Sequence, residues 1–338
     1  MTPRVTTLGI TLAFFLLLTP VLSHSQHPGK VPRIGWLSIT PPDQSDADGC
    51  PLTGTPFWQA FVTGLREHGY TRGQNILIAC RYTEGQADRA PALAAELVSL
   101  KPDLIVACCA NANARAAKQA TSTIPIVILN VSNPVGEGLV ASLAHPGGNV
   151  TGLTDTIGPE LGGKQLQLLK EAVPTLSRVA VLWSSGSGAF YRQEDEATAR
   201  ALGLTLQFYE VRAPEELAGA FAAMTAARAD GLFVADTALL YVHQQRIVDL
   251  AAQHRLPAMY SWKERVQAGG LMAYGSNYPA MAHHAATYVD RILKGTLPAD
   301  LPVEQPTTFD LVINLKTAKA LGLTIPRSVL NRADEVIQ

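Results

Sequence analysis

Arg33-Ile34-Gly35-Trp36-Leu37-Ser38 and Arg178-Val179-Ala180-Val181-Leu182-Trp183-Ser184 are two versions of one phrase: a basic residue, a short apolar run, a serine. Apolar runs of this length, bounded by turn residues, read as strands buried on both faces. Each copy is followed by a stretch of helical spacing closed by glycine, Gly69 and Gly203. A further strand and helix follow, and then an aspartate opens another strand: Asp103-Leu104-Ile105-Val106 in the first copy, Asp230-Gly231-Leu232-Phe233-Val234 in the second. Pro125 and Pro257 each lead into one strand more. A β/α sequence stated twice predicts two similar lobes, each with a parallel sheet covered by helices on both faces.

Working outward, the strands are expected at 34–37, 76–79, 104–107, 126–130, 179–183, 204–209, 231–234, 258–260 and 271–274. Helices are expected at 56–68, 89–100, 112–120, 161–172, 189–202, 214–228, 239–254 and 279–293. Glycine at a helix end and proline just beyond it mark the stops. The first lobe is assigned to 31–152 plus about 276–297, the second to 153–275 plus about 300–338. The chain is expected to cross near 152–158 and 276–279 and to return near 296–306. This is an α/β fold of two Rossmann-like lobes with a ligand cleft between them.

The 338 residues suffice for two cores. Charged residues make up 16%, below the roughly 25% of an average soluble protein, which fits buried sheets. With a net charge of −1 and no basic stripe, nucleic acid and anionic membrane surfaces are not expected partners. Arg4 precedes an apolar run over 10–22, too short to span a bilayer, and Ser23 and Ser25 follow at the −3 and −1 positions of a cleavage site. Residues 1–25 are therefore expected to be a secretory signal peptide, and the protein periplasmic and soluble. Its removal would leave 26 basic against 28 acidic residues. No cysteine ends the run, so a lipid anchor is not indicated.

An exported protein is permitted disulfides. Four cysteines allow three pairings, and Cys50 with Cys80 is the favoured one, because neighbouring parallel strands bring them together. A bond between the adjacent Cys108 and Cys109 would be strained, so the plain reading of that pair is two small, partly buried thiols.

In open parallel sheets ligands bind beyond the carboxyl ends of the strands. The loops there are rich in Ser, Thr, Asn, Gly and aromatic residues. The candidate ligand-binding residues are Ser38, Thr40, Cys109, Asn111, Ser132, Asn133, Asp155, Ser184, Ser185, Asp236, Tyr260, Tyr274 and Asn277. Asn111 and the 184–187 corner stand where helices begin and offer unpaired N–H groups; Asp155 and Asp236 suit a ligand ammonium. Tyr241 and Trp262 are further aromatics for a pocket wall, whereas Trp36, inside a strand, reads as core. Read singly, most of these polar residues serve equally as helix caps.

Catalytic motifs are weak. The segment 158–165 nearly fits a phosphate-binding loop, but Gln165 stands where Ser or Thr must hold the metal, and no strand leads directly into it. His283 and His284 are adjacent on a helix, so their side chains diverge. There is no HExxH and no GxSxG elbow. No enzyme activity, metal or cofactor is expected.

Several segments resemble the ABC transporter substrate-binding family typified by tryptophan/tyrosine-type binding proteins. They are Gly64-Leu65-Arg66-Glu67-His68-Gly69-Tyr70, Ile124-Pro125-Ile126-Val127, Asn133-Pro134-Val135-Gly136, Pro146-Gly147-Gly148-Asn149-Val150-Thr151-Gly152 and Phe309-Asp310-Leu311-Val312-Ile313-Asn314. The resemblance implies a type I periplasmic-binding architecture with three crossings. It also implies a monomer without catalysis that delivers a small polar organic ligand, an amino acid or related carboxylate, to an ABC permease. A sensor presenting its ligand to a membrane receptor kinase is the alternative. The chain departs from the family's pattern at Asn133, often Asp, and at Cys108-Cys109-Ala110-Asn111, usually a loop rich in Gly, Thr and Pro.

Overall fold

The computed structural model describes residues 30–155, 160–184 and 192–338. The expected signal peptide and Ser185 lie outside the described residues. Pro32–Gln338 forms one compact unit containing two sheets.

The first sheet holds β1 (Arg33–Ser38), β2 (Leu77–Tyr82), β3 (Leu104–Cys108), β4 (Ile126–Val131) and β5 (Val150–Thr154), in the order β2-β1-β3-β4-β5. All four of its pairings are parallel. The second holds β6 (Arg178–Trp183), β7 (Thr205–Glu210), β8 (Gly231–Val234), β9 (Ala258–Tyr260), β10 (Met272–Ser276), β11 (Phe309–Asn314) and β12 (Glu335–Ile337). Read from β7, its order is β7-β6-β8-β9-β10-β11-β12. The first five strands repeat the order of the first sheet, the structural counterpart of the repeated phrase. In both sheets the order reverses at the founding strand, so each has a switch point there, between β1 and β3 and between β6 and β8.

Central strands are buried throughout: every residue of β3 and β4 is buried. That pattern requires helices on both faces, and the covering helices follow the amphipathic stretches. α1 (Pro56–Glu67) starts where the Thr55 hydroxyl accepts from the Trp58 N–H at 3.3 Å, has Pro56 in its first turn, and is followed by Gly69 at φ 88°. α2 (Ala90–Ser99) and α3 (Asn111–Ala120) pack on the other face of the first sheet. α4 (Glu160–Ala172), α5 (Arg192–Ala201) and α6 (Leu217–Ala226) belong with the second.

Three expectations need correction. The stretch 239–254 is two helices, α7 (Ala238–Val242) and α8 (Gln244–Gln253), because His243 leaves the helical conformation at φ −100° and ψ 24°. A short α9 (Lys263–Gln267) lies in a region with no expected element. The second sheet is not wholly parallel, since β11 runs antiparallel to β10. The reason is the route of the chain. After β10, α10 (Tyr278–Leu293) crosses to pack against α1 and the first sheet, and residue 304 pairs with β5 at Leu153. The chain then re-enters the second sheet from the opposite end. α11 (Leu315–Ala320) and α12 (Arg327–Leu330) close the second core.

Cys50 and Cys80 are joined, with Cα atoms 5.0 Å apart. The bond ties the loop after β1 to edge strand β2, where the Cys80 N–H donates to Asp48 O at 2.9 Å.

Candidate functional site

The carboxyl ends of β1, β3, β4 and β5 and those of β6, β8 and β9 open on a common cleft, formed at the two switch points. Its inner part is a narrow pocket of ≈ 50 Å³. Cys109, Asn111, Asn130, Ser132 and Asp155 line it from the first sheet's side, and Asp236, Thr237, Tyr241 and Trp262 from the second's. A larger chamber of ≈ 250 Å³ adjoins it and shares Ile39, Cys109, Tyr241 and Trp262. Trp36, Phe57, Trp58 and Tyr82 give the chamber an aromatic lining, with Ser38 and Thr40 at its edge.

Local hydrogen bonds explain why these loops hold their places. The Asn111 amide bridges to the β4 loop in both directions: its Nδ2 donates to Ser132 O at 3.0 Å, and its Oδ1 accepts from the Ser132 N–H at 2.9 Å. Asn113 Nδ2 donates to Cys108 O at 2.9 Å. Across the cleft, the Ser184 hydroxyl donates to Thr237 Oγ1 at 2.7 Å, and Thr237 caps α7 through the Leu240 N–H. Asp236 Oδ2 accepts from the Trp262 indole N–H at 2.7 Å and from the Tyr278 hydroxyl at 3.1 Å. Trp262 stacks on Tyr278 with ring centroids 3.7 Å apart. An element of each half thus meets at Asp236.

The described lining of the pocket is acidic, and the buried Arg265 acts on Tyr241 and Tyr278 from behind it. Burial, and then the Asp236 carboxylate, push the Asp155 carboxyl up to about 7, although the Ser132 hydroxyl donates to it. Its Oδ1 is sealed from solvent and has no hydrogen-bond partner. Asn130 Oδ1, on a residue only 5% exposed, is likewise unpartnered. Burial, Asp236 and Asp155 drive the Tyr278 hydroxyl far above the usual phenol range, and burial pushes Tyr241 up to about 12. Among the described lining residues there is no lysine or arginine. No group of three His, Cys, Asp or Glu arranged to hold a metal occurs among the described residues.

Of the sequence-derived candidates, Cys109, Asn111, Ser132, Asp155 and Asp236 meet at the inner pocket, and Ser38 and Thr40 at the chamber. Ser184 borders a third recess beside Asn113 and Ala238. Four candidates do not line the cleft. Tyr260 points into the second lobe's core at 1% exposure. Tyr274 stacks on Phe309 at 5.8 Å, away from the strand ends. Asn277 is spent capping α10, accepting from the Ala280 N–H at 2.9 Å. Asn133 turns back on its own loop, accepting from the Gly136 N–H at 3.1 Å. Cys108 and Cys109 are not thiols; they are bonded to each other. Cys109 takes the left-handed conformation, φ 70°, which folds the adjacent side chains together, while its N–H stays tied to Leu129 O at 2.9 Å.

Asn130, Thr237, Tyr82, Phe57, Trp58 and Tyr278 are absent from the sequence-derived set. Asn130 had a visible signal: it is the one amide in the apolar run of β4. Tyr278 had none, because a helix-opening tyrosine carries no mark of the stack it makes.

The family model for ABC transporter substrate binding proteins matches residues 57–337. The chain belongs to that family. It is 28% identical over 267 residues to a tyrosine-binding protein of Clostridioides difficile, a match covering 78% of this chain and 76% of the relative. A conserved domain protein of Vibrio cholerae superposes with a TM-score of 0.81 at 28% identity, over 91% of this chain and 100% of that one. A domain from Streptococcus pneumonia solved with L-Trp gives 0.80 at 29% identity, over the same shares. A leucine-binding protein of Thermotoga maritima, 15% identical with a TM-score of 0.52 over 79% of this chain and 77% of its own, shares the fold alone. This substrate-binding protein has the type I periplasmic-binding architecture, and no helix among its described residues is long and apolar enough to cross a membrane.

Proposed function

We propose that this substrate-binding protein serves an ABC-type importer outside the cytoplasm, as a monomer that captures a small polar organic ligand between two closing lobes and offers the closed form to a membrane permease. Residues 1–25 act as its signal peptide and direct it to the periplasm. The lobes are 31–152 with about 276–297, and 153–275 with about 300–338. The ligand carries an ammonium group and an apolar or aromatic body, as an amino acid or a close relative does. One observation carries this reading: the acceptors Asp155, Asp236 and Asn130 converge on a pocket that opens into an aromatic chamber. Relatives named for tyrosine binding and solved with L-Trp support it. The cleft offers hydrogen bonds and stacking surfaces but no nucleophile–base pair among its described lining, which speaks for binding over turnover.

A thermal-shift screen of amino acids, amines and small carboxylates tests the reading. A ligand at 100 times its dissociation constant stabilises the folded form by about 2.7 kcal/mol, and the hit is expected to raise ATP hydrolysis by the cognate permease in proteoliposomes. A screen in which no ammonium-bearing compound moves the melting temperature would sink it.

A further inference from the structure

The charges of the cleft narrow the ligand class, an inference that rests on the proposed reading. Asp155 Oδ1 and Asn130 Oδ1 are sealed and unpartnered, and the Asp236 carboxylate stands across from them. Three oxygen acceptors match the three N–H donors of a primary ammonium. Among the described residues a ligand carboxylate has no comparable seat: no lysine or arginine is found among the described lining residues. The positive end of α3, at Asn111, offers about half a unit of charge, against the Asp236 carboxylate and an Asp155 carboxyl that titrates near 7. Arg265 is fully buried behind the wall, with its guanidinium 5.9 Å from the Tyr260 ring and Glu264 beside it in sequence, and it does not line the cavity. Near the chamber, Arg72 is held by Asp46 and by Pro51 O, and packs on the Trp58 ring. A zwitterion would therefore bring its carboxylate into a field made for cations.

The chamber supplies the other half. Its aromatic walls suit a flat ring, and two hydroxyls, Thr40 Oγ1 and Tyr82 OH, are sealed from solvent there without partners. They stand ready for a hydroxyl or ring N–H at the far end of a ligand. We infer that the ligand is an aromatic primary amine without an α-carboxylate, its ammonium among Asp155, Asp236 and Asn130 and its ring in the aromatic chamber.

Calorimetric titration of the ligand-free protein with two matched pairs, tyramine against L-tyrosine and tryptamine against L-tryptophan, tests this. At least one amine is expected to bind ten-fold or more tightly than its amino acid, and Asp155→Asn and Asp236→Asn are each expected to cut that preference several-fold. Equal or tighter binding of the amino acids would overturn the amine class while leaving the capture reading intact. Binding of a non-aromatic ligand from the wider screen, with none of the four active, would also overturn it. Silence across the whole screen would overturn both. The comparison within wild type stands even where a variant does not fold.

Discussion

Asp155 links the cleft's chemistry to the protein's stability. Its carboxyl titrates near 7 in the folded chain against 3.8 ordinarily, so the folded form holds a proton that the unfolded chain has released. Stability from this group is complete below about pH 4 and is lost as pH rises through 7. The charged group acting on it is the Asp236 carboxylate, after β8, with the neutral Tyr278 hydroxyl of α10 bound to that carboxylate. Asp236 disfavours its ionisation, and a bound cation reverses that. Asp155→Asn should therefore be more stable than wild type at pH 8 in the absence of ligand, by about 1–2 kcal/mol for a half-buried carboxylate, and the gap should close near pH 4. Thermal melts of both proteins across this range check it; parallel curves would refute the account. Asp155 and Asp236 were legible from the sequence as carboxylates beyond strand ends. Their mutual effect was not, because it depends on two loops more than eighty residues apart in the chain being folded to face one another.

Between elements, close approach decides more than composition. Gly64 sits in α1 where that helix meets α10, and a Cβ there would fall 2.5 Å from His283 O and 2.8 Å from the Ala286 Cβ. Neither contact is the flexible end of a side chain, so Gly64→Ala should force the helices apart at a cost of about 1–3 kcal/mol, read by urea unfolding. The Cys50–Cys80 bond closes a separation of 30 residues, and the chain-entropy relation gives about 3.6 kcal/mol for such a loop. Cys50→Ser/Cys80→Ser is expected to lose most of that, again by urea unfolding; an unchanged midpoint would mean that the loop is held by other contacts. The strands with long apolar runs were legible because burial on both faces leaves no polar alternation to confuse them. β5 was hidden by Gly152 within it, at φ 130° and with a Cβ position only 2.1 Å from Ile128 O, a residue that reads as a turn. β12, three residues long, and α9, five, were too short for any period to register.

For the whole molecule, the routes between the two sheets matter most. The chain passes from β5 towards α4, from β10 into α10, and back along residues 302–308, where the Glu304 N–H donates to Gly152 O at 3.0 Å. Such a narrow set of connections suits a hinge. At saturating ligand the radius of gyration from solution scattering should fall, and an unchanged profile would argue against closure. The doubled strand order was legible in the repeated phrase at residues 33 and 178. The antiparallel β11 was not, because strand direction follows from the path of return and leaves no trace in side-chain pattern. The aromatic wall has a consequence of another kind. Of the four tryptophans, Trp36, Trp58 and Trp262 line the chamber, and the Trp262 indole N–H is bound to a carboxylate. Indole emission shifts with the polarity around the ring, so the protein carries its own optical gauge of occupancy, and its intrinsic fluorescence spectrum will follow a ligand's arrival without any attached dye.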